Sequence, residues 1–139
     1  MKKKSITEIL TEVGEVSPFN ERVKALRQYG NLKPLVDVLR YAYDPKIEFL
    51  LPEGEPPYTP NDWPDQHHNL YREARKFYLF VKGGNDSITD IKREQLFINL
   101  LEMVDKDDAK TLIGMKDKNI PIKNITEKLT ERAFPGVFE

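Results

Sequence analysis

The sequence predicts an all-α protein, a compact bundle of about seven helices with a proline-rich loop. Three observations carry that prediction. Apolar residues recur at helical spacing along most of the chain. Capping residues precede those runs, and glycine or proline follows them. Residues 46–51 alone read as extended, and they supply at most one short piece. The length of 139 residues fits a single helical domain over 1–139.

The first helix opens on a capping box, Ser5-Ile6-Thr7-Glu8, with Ile6, Ile9, Leu10 and Val13 inward and Gly14 as its stop. Lys2 to Lys4 read as a solvated basic start. The second helix opens at Ser17-Pro18, with Ser17 as N-cap, and carries Phe19, Val23, Leu26 and Tyr29 to Gly30. Asn31 caps the third, whose broad apolar face (Leu35, Val36, Val38, Leu39, Ala42, Tyr43) suits a central position. Asp44-Pro45 stops it, because a residue before proline is driven out of the α region.

The character changes between residues 45 and 64. Ile47, Phe49, Leu50 and Leu51 are followed by Pro52, Pro56, Pro57, Pro60 and Pro64. The stretch reads as an ordered loop pinned by Tyr58 and Trp63. Asp65 to Val81 then reads as a fourth helix with a wide aromatic face, ended by Gly83-Gly84. Ser87 and Asp90 open a fifth, carrying Ile91, Leu96, Phe97, Leu100, Leu101 and Val104. A sixth starts at Asp108. Gly114 inside it either permits close packing or ends the helix. A seventh follows Pro121, with Ile122, Ile125, Leu129 and Phe134, and Phe134-Pro135-Gly136 closes the unit. Leu39, Phe77, Leu100 and Leu129 are expected at inter-helix contacts.

A net charge of −1 gives no global field that would attract nucleic acid or an anionic membrane. Without cysteine there are no disulfides, thiolate metal sites or thiol catalysis. No apolar run reaches the roughly 18 residues that span a bilayer, so no membrane partner is expected and the cytoplasm is the expected location. Adjacent histidines, His67-His68, point about 100° apart on a helix and cannot share one metal as an i, i+4 pair does. Asp65 or Glu73 is the carboxylate either would need. Lys106-Asp107-Asp108-Ala109 approaches the Lys-x-Asp-Gly signature of nucleotidyl transferases but lacks its glycine. There is no phosphate-binding loop and no nucleophile elbow. The expectation is a protein that is not an enzyme and takes no cofactor or metal.

Residues 31–44, a leucine- and valine-rich helix ending in an aromatic residue, resemble an early helix of the N-terminal DNA-binding domain of ATP-dependent DNA ligases. Leu112, Lys116-Asp117, Asn119-Ile120-Pro121 and Phe134-Pro135-Gly136 resemble that domain's last portion. The chain is also similar to small uncharacterised proteins of T4-like tailed phages. Pro121 stands where the ligase family has a turn glycine, and Ile113-Gly114 stands where it has a basic pair. The resemblance implies a clamp without the catalytic domain, contacting duplex DNA through backbone phosphates by Lys110, Lys116, Lys118, Lys123 and Lys128. Residues 106–139 hold seven basic and six acidic side chains. The other reading is a protein-interaction module that binds a replication or host protein through the proline-rich loop, with Tyr58 and Trp63 at the contact.

Overall fold

The computed structural model describes residues 4–138 and is all-helical. Its elements are α1 (Ile6–Gly14), α2 (Phe19–Arg27), α3 (Lys33–Tyr43), α4 (Asn69–Glu73), α5 (Asp90–Met103), α6 (Lys106–Lys116) and α7 (Glu127–Ala133). A 3₁₀ segment, Ala74–Phe80, continues α4. Lys2 and Lys3 of the basic start lie outside the described residues. Among the described residues no helix is long and apolar enough to cross a membrane.

The cap chemistry explains where the helices begin. The Ser5 hydroxyl accepts from the Glu8 N–H at 3.0 Å, while the Ser5 N–H donates to the Glu8 carboxylate at 3.1 Å. Thr89, Asp105 and Thr126 cap α5, α6 and α7 with the first of these two bonds alone, each side chain accepting from a backbone N–H of the first turn. Thr89 stands where Ser87 was expected, and α6 starts two residues before the expected Asp108. Two further expected caps are displaced. Pro18, not Ser17, occupies the cap of α2, and its carbonyl accepts from the N–H groups of Glu21 and Arg22. Leu32, not Asn31, occupies the cap of α3. Neither cap uses a side chain, so packing rather than a polar cap fixes both starts.

The fourth helix departs most from its sequence reading. Only five residues are α-helical before the backbone tightens to three residues per turn. In a 3₁₀ helix residues i and i+3 eclipse, which stacks Ala74, Phe77 and Phe80 on one buried edge. Tyr78, expected on the aromatic face, is turned outward and is about half exposed. Phe80 then meets Phe97 of α5 edge-on, at 5.2 Å between ring centres. The seventh helix also starts later than expected. Ile122 and Ile125 precede it, on either side of Asn124, whose φ of 66° breaks the helical path. The Asn124 side chain donates to the Gly14 carbonyl at 2.8 Å and holds that turn against α1.

Buried side chains of every helix form one core cluster, with α3 packed against α4, the 3₁₀ segment, α6 and α7. Leu39, Phe77, Leu100 and Leu129 are all buried in it, as their spacing predicts. The extended piece is limited to an antiparallel bridge, Phe49 with Val81. Leu50 N–H donates to Phe80 O at 2.8 Å, and Lys82 N–H to Glu48 O at 2.9 Å.

Gly114 serves close packing. It lies within α6, and a Cβ there would meet the Pro121 ring and the Asn119 carbonyl. Alanine favours an exposed helix by about 1 kcal/mol over glycine. Here the obstructing atoms belong to the backbone and a proline ring, which give way poorly. Gly114→Ala is therefore expected to destabilise by about 1–3 kcal/mol, the usual cost of overpacking. A thermal midpoint at or above that of wild type would show that the 119–121 turn yields.

Candidate interaction surface

Proline has no N–H, so a loop with five of them cannot be ordered by a backbone ladder. Side chains do the ordering instead. Thr59 N–H donates to the Glu102 carboxylate of α5 at 2.7 Å. The Asn61 amide donates to Met103 O at 3.2 Å and to the Gln66 side-chain oxygen at 3.3 Å. Asn69 donates to the same two acceptors at 2.8 and 2.7 Å, and so ties the loop to the start of α4. At the other end Gly54 N–H donates to the Asp117 carboxylate, with oxygens at 3.2 and 3.3 Å. Lys116 Nζ donates to Pro52 O at 2.8 Å.

The two aromatic residues expected to pin the loop behave differently. Tyr58 is half-buried against the core, and burial raises its hydroxyl pKa above the ordinary value. Trp63 does not pin the loop. It stands 78% exposed, and its backbone N–H donates to Asn61 Oδ1 at 3.1 Å. The polar network of Thr59, Asn61 and Gln66 does the anchoring that an aromatic plug was expected to do.

Two concavities follow from this path. One, of about 350 Å³, runs between residues 51–57 and α5, over Phe97 and Ile98, with Glu53, Glu55 and Glu94 at its edges and Lys116 in its wall. The other lies between residues 59–64 and Glu102, beside Trp63 and Asp62. Glu94, Ile98 and Glu102 are four apart on α5, so one helix face joins the two. From Ile47 to Tyr71 the chain has five carboxylates and neither lysine nor arginine.

The five lysines expected to face phosphate divide into two groups. Lys116 is buried, its ammonium shared by Pro52 O and the Asp117 carboxylate, the latter at 2.5 Å. Lys118 sits at a φ of 61° and aims its ammonium at three carbonyls, those of Tyr41, Asp44 and Ile47, at 2.8 to 3.0 Å. It thereby closes the carbonyl end of α3, and burial lowers its pKa below the ordinary lysine value. Lys110, Lys123 and Lys128 are exposed, on α6, on the turn before α7 and on α7. Lys128 lies 5.4 Å from the Phe19 ring centre, and on the same helix surface Glu127, Glu131 and Arg132 surround it. Charges of both signs alternate there.

Sequence reasoning missed a polar cluster between α1, α4 and α6. Asp108 is fully buried, and one oxygen accepts from Thr7 N–H at 3.0 Å and from the Thr7 hydroxyl at 2.6 Å. Its other oxygen has no hydrogen-bond partner among the described residues. Thr111 adds a hydroxyl contact to Thr7 at 2.7 Å. Beside it the His67 ring lies 2.8 Å from Glu8 and 3.6 Å from Asp105. Glu73, weighed above as a partner for a histidine, instead pairs with Arg72 and Lys76. The Thr7 contacts join residues 101 and 104 positions apart, and no local pattern announces them.

Residues 9–122 match DUF6433, a family of unknown function. No curated protein and no solved structure matches the chain.

Proposed function

This chain belongs to DUF6433, a family of unknown function, and we propose that it is a non-enzymatic module that docks a partner protein through the proline-rich loop and the adjoining face of α5, acting in the cytoplasm. One observation carries the reading: a tryptophan 78% exposed on a loop held before it by Thr59 N–H and the Asn61 side chain, and after it by the Gln66 side chain, which donates to Pro64 O and accepts from Asn69. Large aromatic side chains dominate the energetics of protein interfaces. A loop already ordered avoids part of the entropy cost of docking.

The duplex-DNA reading leans on five lysines, and its support is thinner. Phosphate binding draws its strength from several cations acting together. Lys116 and Lys118 are committed to protein oxygens, and the three exposed lysines stand on separate segments, one of them among glutamates.

A photo-crosslinking residue in place of Pro60, compared with one in place of the exposed Gln28 at the end of α2, tests the proposal in lysate of the source cells. A discrete protein adduct is expected from position 60 alone, and Trp63→Ala should abolish it. Wild-type protein at micromolar concentration and low salt should leave labelled duplex and nicked DNA unshifted. A shift that is lost when Lys110, Lys123 and Lys128 are changed to glutamate would replace this reading with the DNA one.

A further inference from the structure

The two concavities along α5 have a chemistry that restricts what fills them. The larger one has an apolar floor, Phe97 and Ile98, with Leu51, Pro56 and Pro57 opposite. Its edges are acidic: Glu53, Glu55 and Glu94. At the other end Asp62 and Glu102 flank the exposed Trp63. The nearby cations are accounted for. Lys116 is neutralised by Asp117, and Lys106 stands 4.0 Å from Asp62 at the outer rim. An anionic occupant, whether phosphate backbone or lipid headgroup, would meet carboxylates at both ends. A cationic one would relieve the repulsion among them. Its guanidinium or ammonium could also lie over the Trp63 face, where the ring quadrupole attracts positive charge.

The spacing fixes the length of the contact. Glu94 and Glu102 are eight residues apart on a helix, about 12 Å at 1.5 Å per residue. An extended peptide covers that distance in about four residues. Its alternate side chains point to opposite sides, so one set faces the floor while the other reaches the acidic edges.

We propose that this surface takes a short extended segment of the partner protein in which arginine or lysine alternates with aliphatic residues. Aliphatic side chains fill the groove over Phe97 and Ile98. Cations sit at Glu53, Glu55 and Glu94 at one end, and against Asp62, Glu102 and Trp63 at the other. The inference rests on the interaction reading above and names the class of segment that reading requires.

Trp63 is the single tryptophan of the chain, so its fluorescence reports on this surface directly. The probe is a blocked five-residue peptide, Arg-Leu-Arg-Leu-Arg, titrated into the full-length protein. Its counterpart carries citrulline, uncharged and nearly the same shape, at the three arginine positions. The arginine peptide should produce a saturable change and bind at least about tenfold more tightly than the citrulline peptide, with the preference shrinking as salt rises. The combined variant Glu53→Gln, Glu55→Gln, Asp62→Asn, Glu94→Gln should remove most of that preference. Its circular dichroism and thermal midpoint should be those of wild type, because each change keeps the side-chain shape. Equal binding of the two peptides, or an undiminished preference in a folded variant, overturns the proposal. The crosslink from position 60 separates the two failures. An adduct that survives neutralisation of the four acids keeps the interaction surface and discards the basic segment. Absence of both adduct and peptide binding discards both.

Discussion

Phe77→Ala is expected to lower unfolding stability by about 3–5 kcal/mol, and Leu39→Ala, Leu100→Ala and Leu129→Ala by about 2–5 kcal/mol each. The ranges include both the lost transfer energy of the side chain and the cavity left behind. Phe77 is 1% exposed and meets Tyr41 edge-on at 5.4 Å between ring centres. It sits on the tight 3₁₀ backbone, which cannot easily collapse into the space. Leu39 and Leu129 are fully buried on α3 and α7, which pack against each other. Domains of this size are stable by about 5–15 kcal/mol, so any one of these changes removes a large part of the total. Ile91→Ala is the internal control, because Ile91 is 82% exposed and such surface changes stay within about 0.5 kcal/mol. Urea midpoints would rank the five variants. Four core midpoints equal to that of wild type would mean that the packing is not as described.

Asp108→Asn is expected to change how stability depends on pH. Burial raises the Asp108 pKa from 3.8 to about 6, against the lowering effect of the Thr7 hydroxyl and N–H, while Asp105 adds to the rise and His67 opposes it. Glu8 reaches the same cluster through His67. The sign follows from proton binding. Between about pH 4 and pH 6 the folded chain holds a proton at this site that the unfolded chain has released. Stability from this group therefore falls as pH rises through that window, and the loss is complete above about pH 6. A shift of this size corresponds to a stability loss on the order of 3 kcal/mol. Asparagine keeps the acceptor for Thr7 but does not titrate. The difference in stability, variant minus wild type, should grow by that amount between pH 4 and pH 7, read from denaturant unfolding at each pH. A difference that stays constant across the range would show that Asp108 titrates like a solvated carboxylate. Comparing differences matters, because other carboxylates change the stability of both proteins in parallel.

The helices themselves were legible in the chain. Apolar spacing showed that there are seven helices but placed the fourth and seventh poorly, while the Ser5 to Glu8 box was readable to the atom, because it depends on residues only three apart. The order of the proline-rich loop was also readable, but its means was not. Trp63 and Tyr58 carry the same aromatic signal in sequence, yet one faces solvent and the other the core. Between them, Glu102 of α5, well apart in sequence, holds Thr59, and Gln66 holds Asn61. The backbone of residues 74–80 was likewise undetermined by local pattern. A run of aromatics fits a helix of either pitch; in the tighter one Phe77 meets Tyr41 and Phe80 meets Phe97.

The fate of the charges belonged to the tertiary structure. In sequence Lys116, Lys118 and Lys123 are three similar cations near the end of a helix. In the fold the first is buried against Pro52, the second closes α3, and the third is exposed. Likewise Asp108 reads as a helix-start carboxylate and becomes a buried titrating group only when Thr7 is brought across from α1. Periodicity and capping are settled by neighbours in the chain, so the sequence by itself determined the all-helical class and the apolar faces. The environment of a charge depends on which distant segment removes its water. That is decided when α1 meets α6 and the 45–64 loop crosses α5, and only the packed structure records it.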